Sequence, residues 1–126
     1  MTLEPGDLSG RRILIVEDEF LTAQQLEMFI HDVGGEVVGP VPSVDDALPL
    51  VRANGIDCAL LDVNLRGRMV TPVAEALKAR GIPFVLVTAY GREALQQPAF
   101  RDAPLVTKSN LGDIYRVLAD VLPSRH

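Results

Sequence analysis

The feature of this 126-residue chain that most restricts its fold is a set of short apolar runs without alternation. Arg12-Ile13-Leu14-Ile15-Val16 is almost uninterrupted in β-branched and aliphatic residues, and Cys58-Ala59-Leu60-Leu61 and Ile82-Pro83-Phe84-Val85-Leu86-Val87 are apolar throughout apart from their ends. A strand whose odd and even side chains are both apolar must be covered on both faces, as in a parallel sheet sandwiched between helices. The intervening segments have helical period. From Phe20 to Val33 the apolar residues Leu26, Phe29, Ile30 and Val33 recur at helical spacing, and Gly34-Gly35 supplies the stop.

The remaining elements follow by the same reading. Glu36 to Val41 is a second strand closed by Pro42, and Ser43 is placed to cap a helix with Asp45 and Asp46 in its first turn, running to about Ala53. Pro49 lies inside that helix, where a missing hydrogen bond and a crowded turn cost roughly 3 kcal/mol, so a kinked or shortened helix is expected. Asp57 to Leu61 is a third strand. Thr71-Pro72 opens a third helix, with threonine as cap and proline at the first helical position, and Gly81 ends it. A fourth strand from Ile82 to Val87 and a shorter fifth, Leu105-Val106-Thr107, precede a final helix carrying Leu111, Ile114, Leu118 and Val121. The stretch from Gly91 to Ala103 shows no clear period. Strands alternating with helices imply right-handed crossovers and an α/β fold, a flavodoxin-like doubly wound five-stranded parallel sheet of five βα units. In such sheets chemistry gathers at the carboxyl ends of the strands.

Composition enters as a set of exclusions. Hydrophobic residues at 48% against charged residues at 23% are enough for one real core. The expected division is an N-terminal extension at 1–10, one domain at 11–122 and a tail at 123–126. A net charge of −5 argues against nonspecific binding of nucleic acid, and the basic pairs Arg11-Arg12 and Arg66 with Arg68 read as solvated ends of elements. The lone Cys58 reads as a small buried hydrophobe. With neither a signal-like start nor an apolar stretch of roughly 20 residues, the expected location is the cytoplasm, away from any membrane.

The strand ends carry the chemistry. Glu17 and Asp18 follow the first strand, Asp62 the third, Thr88 the fourth and Lys108 the fifth, so all five share one rim. Three clustered carboxylates repel one another and call for a cation. An all-oxygen set suits a hard divalent ion, magnesium above all. Three carboxylates against one divalent ion and Lys108 sum to zero, a site that can admit a phosphoryl group. Glu19, at the helix start, is expected to point outward, which leaves Asp18 as the metal ligand. Acids at strand ends also serve as mere helix caps; acid pair, lone Asp, hydroxyl and lysine on four separate strands exceed that explanation.

Ile13-Leu14-Ile15-Val16-Glu17-Asp18-Glu19, Leu60-Leu61-Asp62-Val63-Asn64-Leu65, Val87-Thr88-Ala89 and Val106-Thr107-Lys108 resemble the motifs of CheY-like receiver domains of two-component response regulators, over about Arg12 to Leu122. The resemblance implies a phosphorelay receiver. Asp62 would accept a phosphoryl group from a phosphohistidine of a sensor histidine kinase or histidine phosphotransfer protein. Asp18 and Asp62 would hold magnesium directly, Glu17 through water, and Asn64 by its main-chain carbonyl. Lys108 and Thr88 would bind phosphoryl oxygens, and phosphorylation would alter contacts with a downstream protein partner. The chain departs from the family at Ser109, where proline is usual, and at Leu105, where an aromatic is usual. Pro83-Phe84 and Tyr90-Gly91 are similar to stand-alone receivers with a Phe-Ala-Thr-Gly-Tyr motif, and Tyr90 with 91–103 is the expected phosphorylation-sensitive surface. His31 and His126 read as surface residues, and the output is expected to lie in another molecule or in a longer kinase or regulator from which these 126 residues were cut. Two other readings remain: a degenerate receiver that docks partners without phosphorylation, and a haloacid-dehalogenase-like aspartyl phosphatase. The latter needs an acid two residues after the nucleophile, where this chain has Asn64.

Overall fold

A computed structural model of the chain describes residues 3–53, 55–89, 91 and 95–122. Tyr90 lies outside the described residues, as do 92–94 and the tail 123–126. The unalternating runs become a five-stranded parallel sheet: β1 (Arg12–Val16), β2 (Glu36–Val41), β3 (Cys58–Asp62), β6 (Phe84–Thr88) and β7 (Leu105–Thr107), in the order β2-β1-β3-β6-β7. This is the doubly wound order expected from the sequence. Between β3 and the third helix stands a short hairpin that the sequence did not announce, β4 (Asn64–Leu65) with β5 (Arg68–Met69).

The helices are α1 (Phe20–Asp32), α2 (Val44–Arg52), α3 (Thr71–Ala79) and α4 (Ile114–Val121). Alternate strand residues feed two separate cores. Leu14, Val16, Ala59, Leu61 and Leu86 face α2 and α3, while Ile13, Ile15, Leu60, Val85 and Val87 face α1 and α4. Ser43 caps α2 as expected, its hydroxyl accepting from the Asp46 N–H at 3.1 Å, and with Pro49 inside it the helix is only nine residues long. Thr71 does not cap α3. It lies within the first turn, Val70 holds the cap position, and the Thr71 hydroxyl donates instead to Gln97 Oε1 at 2.6 Å.

That bond belongs to the main difference from the expected five βα units. The connection from β6 to β7 contains no α-helix among its described residues, and the described residues of the chain hold four α-helices where five were expected. A turn at 98–102 lies in this connection, and Leu95, Ala99, Phe100 and Ala103 are buried in the core beside α2 and α3. Phe100 has no exposed surface. The final helix is also split: Lys108–Asp113 is a 3-10 segment broken at Asn110 (φ −144°, ψ 60°), and the α-helix starts only at Ile114. No helix among the described residues is long and apolar enough to cross a membrane.

Residues 3–10 are part of the packed structure. Leu8 is fully buried among Ile13, Leu26, Ile30 and Val33, and its N–H donates to the Val33 carbonyl at 2.9 Å, tying the segment to the end of α1. Truncating a fully buried leucine removes transfer free energy and leaves a cavity. Leu8→Ala is expected to lower unfolding free energy by about 2–4 kcal/mol, read from the midpoint of urea denaturation.

Candidate functional site

Parallel register aligns the ends of the strands. Val16 pairs with Leu61, Asp62 with Val87 and Thr88 with Thr107, so the residues that close β1, β3, β6 and β7 emerge at one level on the carboxyl edge of the sheet. Glu17, Asp18 and Asp62 each offer a carboxylate oxygen within 4.8 Å of the others. Lys108 crosses from the far strand to meet them, its Nζ lying 3.2 Å from Asp62 Oδ2 and 3.3 Å from Glu17 Oε2. Thr88, almost wholly buried, and Ala89 complete a cavity of about 300 Å³. The structure thus brings together all of Glu17, Asp18, Asp62, Asn64, Thr88 and Lys108.

The electrostatics follow from burial. Glu17 is buried, and desolvation with the neighbouring Asp62 carboxylate pushes its pKa up to about 8. Burial also raises Asp62 above the ordinary carboxylate value, against the opposing pull of Glu17 and Lys108. Desolvation disfavours the charge on Asp18 as well, but hydrogen bonding with Asp62 and the Arg66 N–H wins, and Asp18 is held below its ordinary value. Lys108 is partly buried, yet Glu19, Asp62 and Glu17 keep it firmly protonated.

Glu19 departs from its expected outward course. Its side chain is 60% exposed, but Oε1 accepts directly from Lys108 Nζ. The periodic reading of α1 put Glu19 before the first helical turn, free to face solvent. A lysine arriving from a strand 89 residues later supplies the reason that it does not. Sequence reasoning also missed the main chain of the hairpin, where the Arg66 N–H donates to Asp18 Oδ2 at 3.0 Å. The available signal was Asn64 followed by Gly67, because the Asn64 side-chain oxygen accepts from the Gly67 N–H at 2.9 Å to close the turn.

Glu17 Oε1 is buried and has no hydrogen-bond partner among the described residues. A buried carboxylate in that condition either keeps a proton or meets a cation. Three oxygen donors within 4.8 Å and one orphaned buried oxygen fit a hard divalent ion such as magnesium.

Known proteins resemble the chain in sequence and in fold. The response regulator receiver domain model matches residues 13–103. The solution structure of SdrG from Sphingomonas melonis Fr1 is 47% identical, with a TM-score of 0.78 over 89% of this chain and 96% of that one. The BeF3-activated conformation of SdrG from Pseudomonas melonis Fr1 is 45% identical, with a TM-score of 0.76 over 90% and 98% of the two chains. The transcriptional regulatory protein PdtaR of Mycobacterium tuberculosis is 32% identical over 94 residues, 74% of this chain and 45% of that protein. The chain thus spans less than half the length of the curated relatives it matches.

The raised Glu17 sets a pH dependence. Between its ordinary value of 4.5 and about 8 the folded, metal-free protein binds a proton that the unfolded chain releases, so stability is fully present below 4.5 and is lost as pH rises through about 8. Thermal melts without metal should fall by about 5 °C or more from pH 5.5 to 8.5. Millimolar magnesium is expected to reverse the fall at high pH, and Glu17→Gln to flatten the metal-free profile.

Proposed function

The chain belongs to the response regulator receiver domain family, and from that membership we propose that it is a magnesium-dependent phosphoacceptor of a two-component pathway, with Asp62 as the residue phosphorylated. The observation that carries this reading is Lys108 Nζ held 3.2 Å from the Asp62 carboxylate inside a cavity also lined by Thr88 and Asp18. An Asp62 oxygen attacks the phosphorus of a donor phosphohistidine; the new P–O bond forms as the P–N bond breaks, and the imidazole leaves with a proton. Lys108 takes one phosphoryl oxygen and the Thr88 hydroxyl donates to another. Asp18 and Asp62 would hold magnesium directly, Glu17 through water and Asn64 by its carbonyl, and the ion supplies positive charge against the transferring group.

The product is a switch rather than a turnover enzyme. The unit that carries it out is taken as 11–122, with 1–10 as an extension anchored by Leu8. SdrG is described in a BeF3-activated conformation, and beryllofluoride mimics a phosphoryl group, which supports a phosphorylation-dependent change in this relative of SdrG. Asn64 speaks against the phosphatase alternative, because its side chain is an amide already engaged with Gly67.

A protein donor has a place to rest. The exposed large hydrophobic residues among those described are Phe20, Leu21 and Met28, all on α1, and that helix begins one residue after Glu19 at the cavity edge. An amphipathic helical donor presenting its phosphohistidine to Asp62 would cover them.

Incubation with magnesium and acetyl phosphate should add one phosphate by mass, and Asp62→Asn should abolish the gain while remaining folded. Undiminished incorporation into that variant would sink the assignment of Asp62. A second outcome separates donor from chemistry: Phe20→Ala should slow transfer from a phosphorylated histidine kinase about fivefold or more, as loss of an aromatic contact at an interface does, with uptake from acetyl phosphate unchanged.

A further inference from the structure

The hairpin between β3 and α3 places an arginine at the cavity rim that neither the sequence reading nor the mechanism above uses. Leu65 pairs with Arg68 across a two-residue loop, Arg66-Gly67, and both loop residues have positive φ, 53° and 84°. Such a loop favours Asn, Asp or Gly at its first position because a Cβ is crowded there. Arg66 is kept in that conformation by its own N–H, which donates to Asp18 Oδ2 at 3.0 Å, and by the Gly67 N–H bond to Asn64. Its main chain is therefore fastened to a carboxylate of the site, and Arg66 lines the same cavity as Asp62, Thr88 and Lys108.

The two hairpin arginines have different surroundings. Arg68 is spent on an ion pair with Asp45 at 3.2 Å. Arg66 has no acidic ion-pair partner among the described residues. The charge balance also needs a second cation once Glu19 is counted. Glu17, Asp18, Glu19 and Asp62 contribute four negative charges to the site, while a divalent ion and Lys108 contribute three positive ones. A phosphate dianion approaching that arrangement meets a net negative rim, and one more fixed cation removes the imbalance.

We propose that Arg66 is a substrate-binding residue of the phosphoryl-transfer site, its guanidinium forming the cationic lip that receives the phosphate dianion of the donor before attack by Asp62. The assignment rests on the phosphoacceptor reading and names the side chain that recruits its substrate. Guanidinium suits the task because it stays charged and offers paired donors to two phosphate oxygens.

Arg66→Gly isolates the side chain. Glycine accepts positive φ without strain and retains the N–H bonded to Asp18, so the hairpin and the metal ligand should stay in place. The expected result is an undiminished melting temperature, magnesium affinity by calorimetry no weaker than wild type, and a second-order rate of uptake from acetyl phosphate lower by roughly three- to tenfold at low ionic strength. The difference should shrink near 0.5 M salt, where screening is about threefold shorter than at 0.05 M, and Arg66→Lys should recover most of the rate. An Arg66→Gly protein that takes up phosphate at the wild-type rate at low salt overturns the inference and leaves the phosphoacceptor reading intact. A parallel loss of magnesium affinity also overturns it, because Arg66 would then act only through Asp18. Absence of uptake by wild type itself, with magnesium present, would bring down the phosphoacceptor reading and this inference with it.

Discussion

Lys108 is the interaction on which the site depends. It reaches from the edge strand β7 across the sheet to carboxylates that follow or end β1 and β3, and each of those carboxylates is costly to keep where it is. Burial raises both Glu17 and Asp62, and their mutual repulsion adds to the cost for Glu17. An ammonium held by three acids at once lowers that cost and ties the end of β7 to the ends of β1 and β3. The edge strand β7 is only three residues long and joins the sheet through β6 alone, so the lysine also gives it a polar attachment at the carboxyl edge.

Much of this was legible in the sequence because apolar runs have abrupt ends. Ile13 to Val16 and Cys58 to Leu61 each stop at a carboxylate, and in a parallel sheet those stops coincide in space. Glu17, Asp18, Asp62, Thr88 and Lys108 could therefore be placed on one rim without any knowledge of side-chain direction. What failed to show was whatever depends on a partner far away in sequence. Glu19 turns toward Lys108, and Thr71 gives up capping for Gln97, because the competing partner arrives from a distant element. Local propensity cannot weigh an interaction whose other half lies 89 or 26 residues downstream.

The β6–β7 connection illustrates a different limit. Its described residues hold no α-helix, yet they supply a core layer through Leu95, Ala99, Phe100 and Ala103. Apolar residues spaced by a turn rather than by 3.6 residues carry no recognisable rhythm, so these four buried positions did not stand out in the sequence. The bonds from Thr71 to Gln97 and from Lys78 to the Pro98 carbonyl add two polar contacts with α3 to that apolar packing.

The anchoring of Leu8 gives the molecule a fixed polarity that matters at the bench. Its segment is bonded to the end of α1 and leads into the amino end of β1, so it sits at the opposite end of the sheet from the rim of Glu17, Asp62 and Lys108. Anything spliced ahead of residue 3, whether a fluorescent protein, an affinity handle or a surface tether, would emerge on the side away from Asp62. The chain could be immobilised by its start with its reactive face presented to solution.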